Sequence, residues 1–335
     1  MIDADLRTWL LDTDPALRWQ VERDLLDAPE HVWLATRARI ATEGRGARFL
    51  SLQDEDGRWA GGSFFPGGFL DDPANQQLPG QPWTATTWTL TTMREDGMDP
   101  APLIANDTAG KLERNARWEY DGLPYWDGEV DCCINAMTLA NGLWLGRDME
   151  ANAAWFVEHQ MRDGGWNCEW VEGSTRGSFH STLNALKGLL DHEIATRGTP
   201  ATRLARRRGE EYLLSRGLMR RASTHEVVGS FIPWFGYPFR HIASALNSAD
   251  HMRRASLHDG TPPDPRMREA IEMIRESRES DGTWHQGRVL PGEVWFPLDV
   301  PEGEPSPWVT MIALRVLRWY DEGTGASGPA ALPFS

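Results

Sequence analysis

Lysine is almost missing from this chain of 335 residues: Lys111 and Lys187 are the only two, and arginine carries the rest of the positive charge. Cations are in deficit overall, with 34 Lys and Arg against 49 Asp and Glu, a net charge of −15. That balance argues against nucleic acid and against anionic membrane surfaces as partners, because both need an excess of cations. One basic cluster, Arg203 to Arg208, falls on a predicted outer helix and reads as a solvated helix face. Cysteine is scarce as well. Three residues, two of them adjacent, make no disulfide framework and fit a reducing, cytoplasmic setting. No apolar run is long enough to span a bilayer. The opening Met1-Ile2-Asp3-Ala4-Asp5 has neither a basic n-region nor an apolar h-region, so no secretory signal is expected.

Tryptophan, in contrast, is abundant at 17 residues. Three of them close the same turn, Asp-Gly-x-Trp: Asp56-Gly57-Arg58-Trp59, Asp163-Gly164-Gly165-Trp166 and Asp281-Gly282-Thr283-Trp284. Each turn lies between two helix-like stretches, so the chain reads as a helical repeat. Six segments, 15–26, 82–95, 131–145, 179–193, 238–254 and 307–320, read as helices of one kind, several of them apolar or small around most of the circumference, and the set is expected to be buried. More polar helices alternate with them at 31–53, 102–120, 148–162, 200–216 and 265–280, with 5–11 completing the set. This alternation predicts an all-α fold, an (α/α)6 toroid with an inner ring inside an outer ring. It would occupy residues 1–320 as a single domain, with 321–335 as a disordered tail. Short connections make successive helices antiparallel, so the inner helices all start at one rim. Their N-termini and the long loops 61–81, 219–237 and 285–306 gather there, and loops of that length are often lids or binding segments.

Helix pairs punctuated by Asp-Gly-Gly-Trp turns resemble the prenyltransferase and squalene-cyclase repeat over roughly residues 15 to 320. The resemblance implies that the Asp, Gly and Trp of the turns support the fold. It does not extend to the Asp-x-Asp-Asp acid of squalene-hopene-type cyclases. The nearest acidic pair, Asp71-Asp72, lies in a Gly/Pro-rich loop. At one place the chain is similar to protein-prenyltransferase β-subunits, whose zinc site uses Asp-x-Cys at one inner helix and His at the next. The Asp, the second Cys and the His map onto Asp131, Cys133 and His180. The residues allow it on one condition. Asp131 and Cys133 are about 200° apart on a continuous helix, so they converge only with Asp131 at the N-cap, a position Asp favours. Cys132 would then point away into the core. Cys168, in the loop leading to His180, is the fourth candidate ligand, and Zn2+ accepts such mixed S, N and O sets.

The basic residues that hold a diphosphate in protein prenyltransferases are replaced here by acids and aromatics at 123–130. The cavity is therefore expected to take a small apolar molecule, neutral or cationic, rather than an isoprenoid diphosphate. Arg240-His241, opening the fifth inner helix, is the one basic pair on that rim, and Arg240 is expected to pair with a nearby acid. The expected function is a zinc-dependent enzyme acting on a terpenoid-like or other small molecule. His241, Tyr237, Glu129 and His225 are the acid–base candidates, placed near inner-helix starts or in long rim loops. Two alternatives remain open: metal-independent cyclase, isomerase or dehydratase chemistry, and a non-catalytic binding protein with a structural zinc.

Overall fold

The computed structural model describes residues 3–325, apart from the side chain of Gln76. Among the described residues it is all-α, with fourteen α-helices and no strand; isolated β-bridges close several loops. The helices are α1 (Ala4–Leu11), α2 (Pro15–Asp24), α3 (Glu30–Ala38), α4 (Gly44–Ser51), α5 (Thr86–Glu95), α6 (Ala101–Ala105) and α7 (Thr108–Asn115). They continue with α8 (Cys132–Trp144), α9 (Glu150–Glu158), α10 (Phe179–Thr196), α11 (Pro200–Leu214), α12 (Ala245–Asp259), α13 (Arg268–Glu276) and α14 (Pro307–Thr324).

The apolar helices pack on one another in chain order: α5 on α8, α8 on α10, α10 on α12, and α12 on α14. The last of them returns to the beginning of the chain, where α14 packs on α2 and α1. Arg315 of α14 fixes that contact through Asp24 at 3.3 Å and Gln20 at 2.9 Å. The polar helices flank this series, with α3 on α2, α9 and α11 on α10, and α13 on α12 and α14. Lack of a polar face has the expected consequence in α8, which is buried from Ile134 to Gly142. It lies closest to α10, where a Cβ on Gly188 would come within 3.0 Å of the Ala136 backbone.

Several predicted boundaries moved: 31–53 divides into α3 and α4, 102–120 divides into α6 and α7, and 82–95 becomes helical at Thr86. The segment 238–254 becomes helical only at Ala245, because Arg240 holds a left-handed backbone (φ 51°) and Ser244 supplies the N-cap. Arg240 and His241 therefore sit in the loop before α12. At the other end, α14 runs on to Thr324, and Asp321 pairs with Arg275 of α13 at 2.8 Å. Residues 321–324, expected in a disordered tail, are thus helical; 326–335 lie outside the described residues.

The three Asp-Gly-x-Trp turns share one hydrogen-bond pattern. Each Asp accepts from the backbone N–H two residues on: Arg58 at 3.0 Å, Gly165 at 3.2 Å and Thr283 at 2.9 Å. Each Gly takes φ near 90° (92°, 91° and 87°), the region where a side chain is strained. Each Trp is at most 1% exposed. Its indole N–H donates to a carbonyl near the end of the preceding helix: Phe49 at 2.8 Å, Phe156 at 2.9 Å and Ile274 at 2.7 Å. Its backbone N–H donates to a Thr hydroxyl in the first turns of the following helix: Thr86 at 3.1 Å, Thr182 at 3.0 Å and Thr310 at 2.9 Å. One residue thereby ties the end of one helix to the start of the next.

Trp166→Ala is expected to destabilise the fold by about 3–5 kcal/mol, the usual cost of truncating a buried Trp. Thr182→Val, which keeps the shape but orphans the Trp166 N–H, is expected to cost about 1–3 kcal/mol. Urea unfolding reads both, and a Thr182→Val variant as stable as wild type would show the tie to be dispensable.

Candidate metal centre

The α8 N-terminus carries the residues the sequence singled out. Asp131 is its N-cap, in extended conformation (φ −80°, ψ 120°), and its side chain does not cap the helix. Cys132 and Cys133 are the first two helical residues. The loop after the second Trp turn folds over this helix end, and the Trp170 indole donates to the Val130 carbonyl at 2.8 Å. Asn167 shapes the loop: its side-chain oxygen accepts from the Glu169 N–H at 3.1 Å and its amide donates to the Arg176 carbonyl at 2.9 Å. Cys168 is thereby delivered onto α8.

Three sulfurs converge. Cys168 Sγ lies 3.4 Å from Cys133 Sγ and 3.5 Å from Cys132 Sγ, and all three are within 4.8 Å of one another. Cys132 was expected to point away and does not. Consecutive helical side chains diverge around the axis, but Cys168 arrives over the helix end, where both thiols of the first turn can reach it. Ser181 of α10 completes the pocket. Its hydroxyl accepts from the Cys168 N–H at 3.1 Å and donates to the Cys168 sulfur at 3.4 Å. Hydrogen bonding with Cys132 and then with Cys133 holds the Cys168 pKa down, while burial pushes Cys132 up. Asp131 lies beside it: burial first, then the charges of Cys168 and Glu129, push its carboxyl up to about 7.

His180 lies outside this group of sulfurs. Its Nδ1 accepts the backbone N–H of Ala243 at 3.0 Å, so the neutral ring carries its proton on Nε2. Ligation through Nε2 would require the ring to lose that proton too, or to give up the Ala243 bond. His180 instead faces a cleft of about 610 Å³ with Phe179, Tyr212, Val228 and Phe231. Its pKa is lowered to about 4, by burial first and then by His241.

The acid–base candidates separate. His241 is next to His180, ring centroids 6.1 Å apart, and burial lowers its pKa. Glu129 adjoins the centre as a brace: its carboxylate accepts the Asp131 N–H at 2.6 Å, and its backbone N–H donates to Asn135 at 2.6 Å. His225 is in an exposed turn with φ 58° and its carbonyl accepts from Arg220. Tyr237 is committed to the core. It stacks on Trp308 at 4.2 Å, and its hydroxyl accepts from Arg45 at 2.8 Å within a buried Arg45–Asp96 ion pair.

Arg240 pairs with no acid among the described residues. It lies over the Trp83 ring at 4.8 Å and the Trp88 ring at 5.7 Å. A second convergence of possible ligands, Glu193, His258 and Asp259, already has a cation, because Arg206 pairs with Glu193 and Asp259 at 2.8 Å each.

No family model matches the chain, and no curated protein matches it. The case for a site therefore rests on its geometry.

Asp96→Asn is expected to strand the buried Arg45 guanidinium and cost about 3–5 kcal/mol. Tyr237→Phe removes one neutral partner and should cost about 1 kcal/mol. Equal losses in chemical denaturation would show that the hydroxyl, and not the ion pair, carries this cluster.

Proposed function

We propose that this chain is a zinc-binding enzyme of the prenyltransferase/squalene-cyclase repeat type, built as an (α/α)6 toroid and acting in the cytoplasm on a small apolar, terpenoid-like molecule. The observation that carries the reading is the meeting of Cys132, Cys133 and Cys168 in one pocket. Tetrahedral zinc with sulfur ligands at about 2.3 Å spaces those sulfurs about 3.8 Å apart. The thiols stand 3.4–3.5 Å from Cys168, so a few tenths of an ångström of expansion would admit the ion. Soft thiolates are the ligands zinc favours. The succession of apolar helices, closed by α14 on α2, supports the toroid.

The three sulfurs would hold the metal, with Asp131 as the oxygen donor beside them. When bound, the metal supplies Lewis-acid polarisation or an activated thiolate or water. His180 and His241 are the groups positioned to move a proton: His180 presents its Nε2, because Ala243 occupies Nδ1. The apolar wall of Phe179, Tyr212 and Phe231 offers a place for the substrate body. One observation favours a second reading, a structural zinc. If Asp131 completes the shell, four protein ligands leave no open position.

Protein purified without chelator should contain one zinc per chain. Cys133→Ala and Cys168→Ala should each bring that well below one, and Cys132→Ala should lower it too. His180→Gln should keep the metal. Full zinc in Cys168→Ala would end the proposal, and loss of zinc in His180→Gln would return that histidine to the ligand set. Asp131→Asn separates the two readings: retained zinc with an added bound water marks an open, catalytic position.

A further inference from the structure

A cluster of arginines lies away from the thiol centre, along the apolar helices. A cavity of about 600 Å³ there is bounded by α2, α5, α10, α12 and α14. Two of its three lining acids, Asp24 and Asp250, are each shared by two arginines, as is Asp191, which holds two of the lining arginines. Asp191 holds Arg94 at 2.6 Å and Arg254 at 2.7 Å. Asp250 holds Arg315 at 2.5 Å and Arg253 at 2.9 Å. Sharing leaves a surplus of guanidinium charge at the wall of a protein whose net charge is −15. Glu95 is the acid that opposes this surplus, and it makes no ion pair among the described residues.

At its inner end the cavity meets a narrow recess of about 30 Å³, which shares the walls Arg94, Glu95 and Lys187. Three donors bound this recess without acceptors among the described residues. Lys187, one of the chain's two lysines, forms no ion pair. Arg240 has only the Trp83 and Trp88 rings. The Trp88 indole N–H is buried with no partner, although the residue is only 2% exposed. A buried donor left unpaired, as the Trp88 N–H is, costs roughly 1–3 kcal/mol. Lys187 and Arg240, both partly exposed, add two unpaired cations at the same recess, and together the three favour an acceptor there. Burial also lowers the pKa of Lys187, an effect that a bound anion would offset.

The rim at the other end of these helices is occupied by loops tied to one another. Trp83 N–H donates to the Glu293 carbonyl at 2.8 Å, the Trp295 indole to the Thr84 carbonyl at 3.1 Å, and Tyr237 N–H to the Gln286 side chain at 2.9 Å. A ligand for the recess would therefore come in past the arginines. The wider cavity adds Trp19, Phe239, Trp308 and Ile312, an apolar and aromatic wall.

We propose that this cavity binds an organic carboxylate with an apolar body, its carboxylate in the recess between Lys187, Arg240 and the Trp88 N–H and its body against Trp19, Trp308 and Ile312. The recess is wide enough for a carboxylate-sized group. The site is separate from the thiol centre, so it stands or falls independently of the zinc reading.

Isothermal titration of the whole chain with octanoate, octyl phosphate and 1-octanol at low salt tests it. Octanoate should bind, and 1-octanol should bind at least about tenfold more weakly. Lys187→Met and Arg240→Met should each weaken octanoate by about tenfold or more, a loss equivalent to one charge contact. Trp88→Phe should weaken it less, and Cys168→Ala should leave it unchanged. Circular dichroism melts confirm that each variant is folded. Octanoate binding unaffected by Lys187→Met, or no binding at millimolar octanoate, overturns the proposal. A preference for octyl phosphate overturns the carboxylate assignment. Loss of octanoate binding in Cys168→Ala would place the anion at the thiol centre instead.

Discussion

The rest of the structure depends on how a buried tryptophan joins two helices. In each Asp-Gly-x-Trp turn the indole satisfies a carbonyl near the end of one helix, and the backbone N–H of the same residue is held by a threonine of the next apolar helix. A helix end leaves carbonyls without intrahelical partners, and burying one unpaired is costly. The turn meets that need and sets the spacing between the two helices by the size of an indole. Because the second turn fixes where the following loop begins, it also decides that Cys168, two residues after Trp166, arrives over α8. The sulfur centre is in that sense a by-product of the repeat.

Charge is organised against the same frame. The net charge is −15, yet within the helix array Asp191 and Asp250 each serve two arginines. Elsewhere the ratio reverses, and Arg206 answers Glu193, Glu210 and Asp259 together. Buried ion pairs of this kind add little net stability, but removing one member leaves a charge uncompensated. They fix helix orientation while leaving guanidinium groups at the wall of a cavity. Lys187 and Arg240 lack such partners among the described residues, and they bound the proposed carboxylate recess.

Much of the fold could be read in the sequence because its signals are local. Asp281-Gly282-Thr283-Trp284 specifies its own turn, and α8 announces its burial through a run without a polar face. The start of α12 was misread because 238–254 has the right periodicity, while the left-handed backbone of Arg240 depends on packing around Trp83 and Trp88. The candidate site was legible in part. Asp131, Cys133 and Cys168 were placed on one rim by helix order, and they do lie together. Cys132 was dismissed by an angular argument that applies along a helix and fails at its end. His180 could be assigned to a ring of helices but not to a hydrogen-bond partner. Only the fold reveals that Ala243 occupies its Nδ1. Lys187 carried a signal that was passed over, a lone lysine among Leu183, Leu186, Leu189 and Leu190.

The central claim is that three cysteines from two distant segments hold one metal. X-ray absorption at the zinc edge addresses it directly, because sulfur and lighter ligands scatter at different distances. Three sulfur neighbours at about 2.3 Å, with one nitrogen or oxygen at about 2.0–2.2 Å, are expected. A shell of nitrogen and oxygen alone would contradict the account.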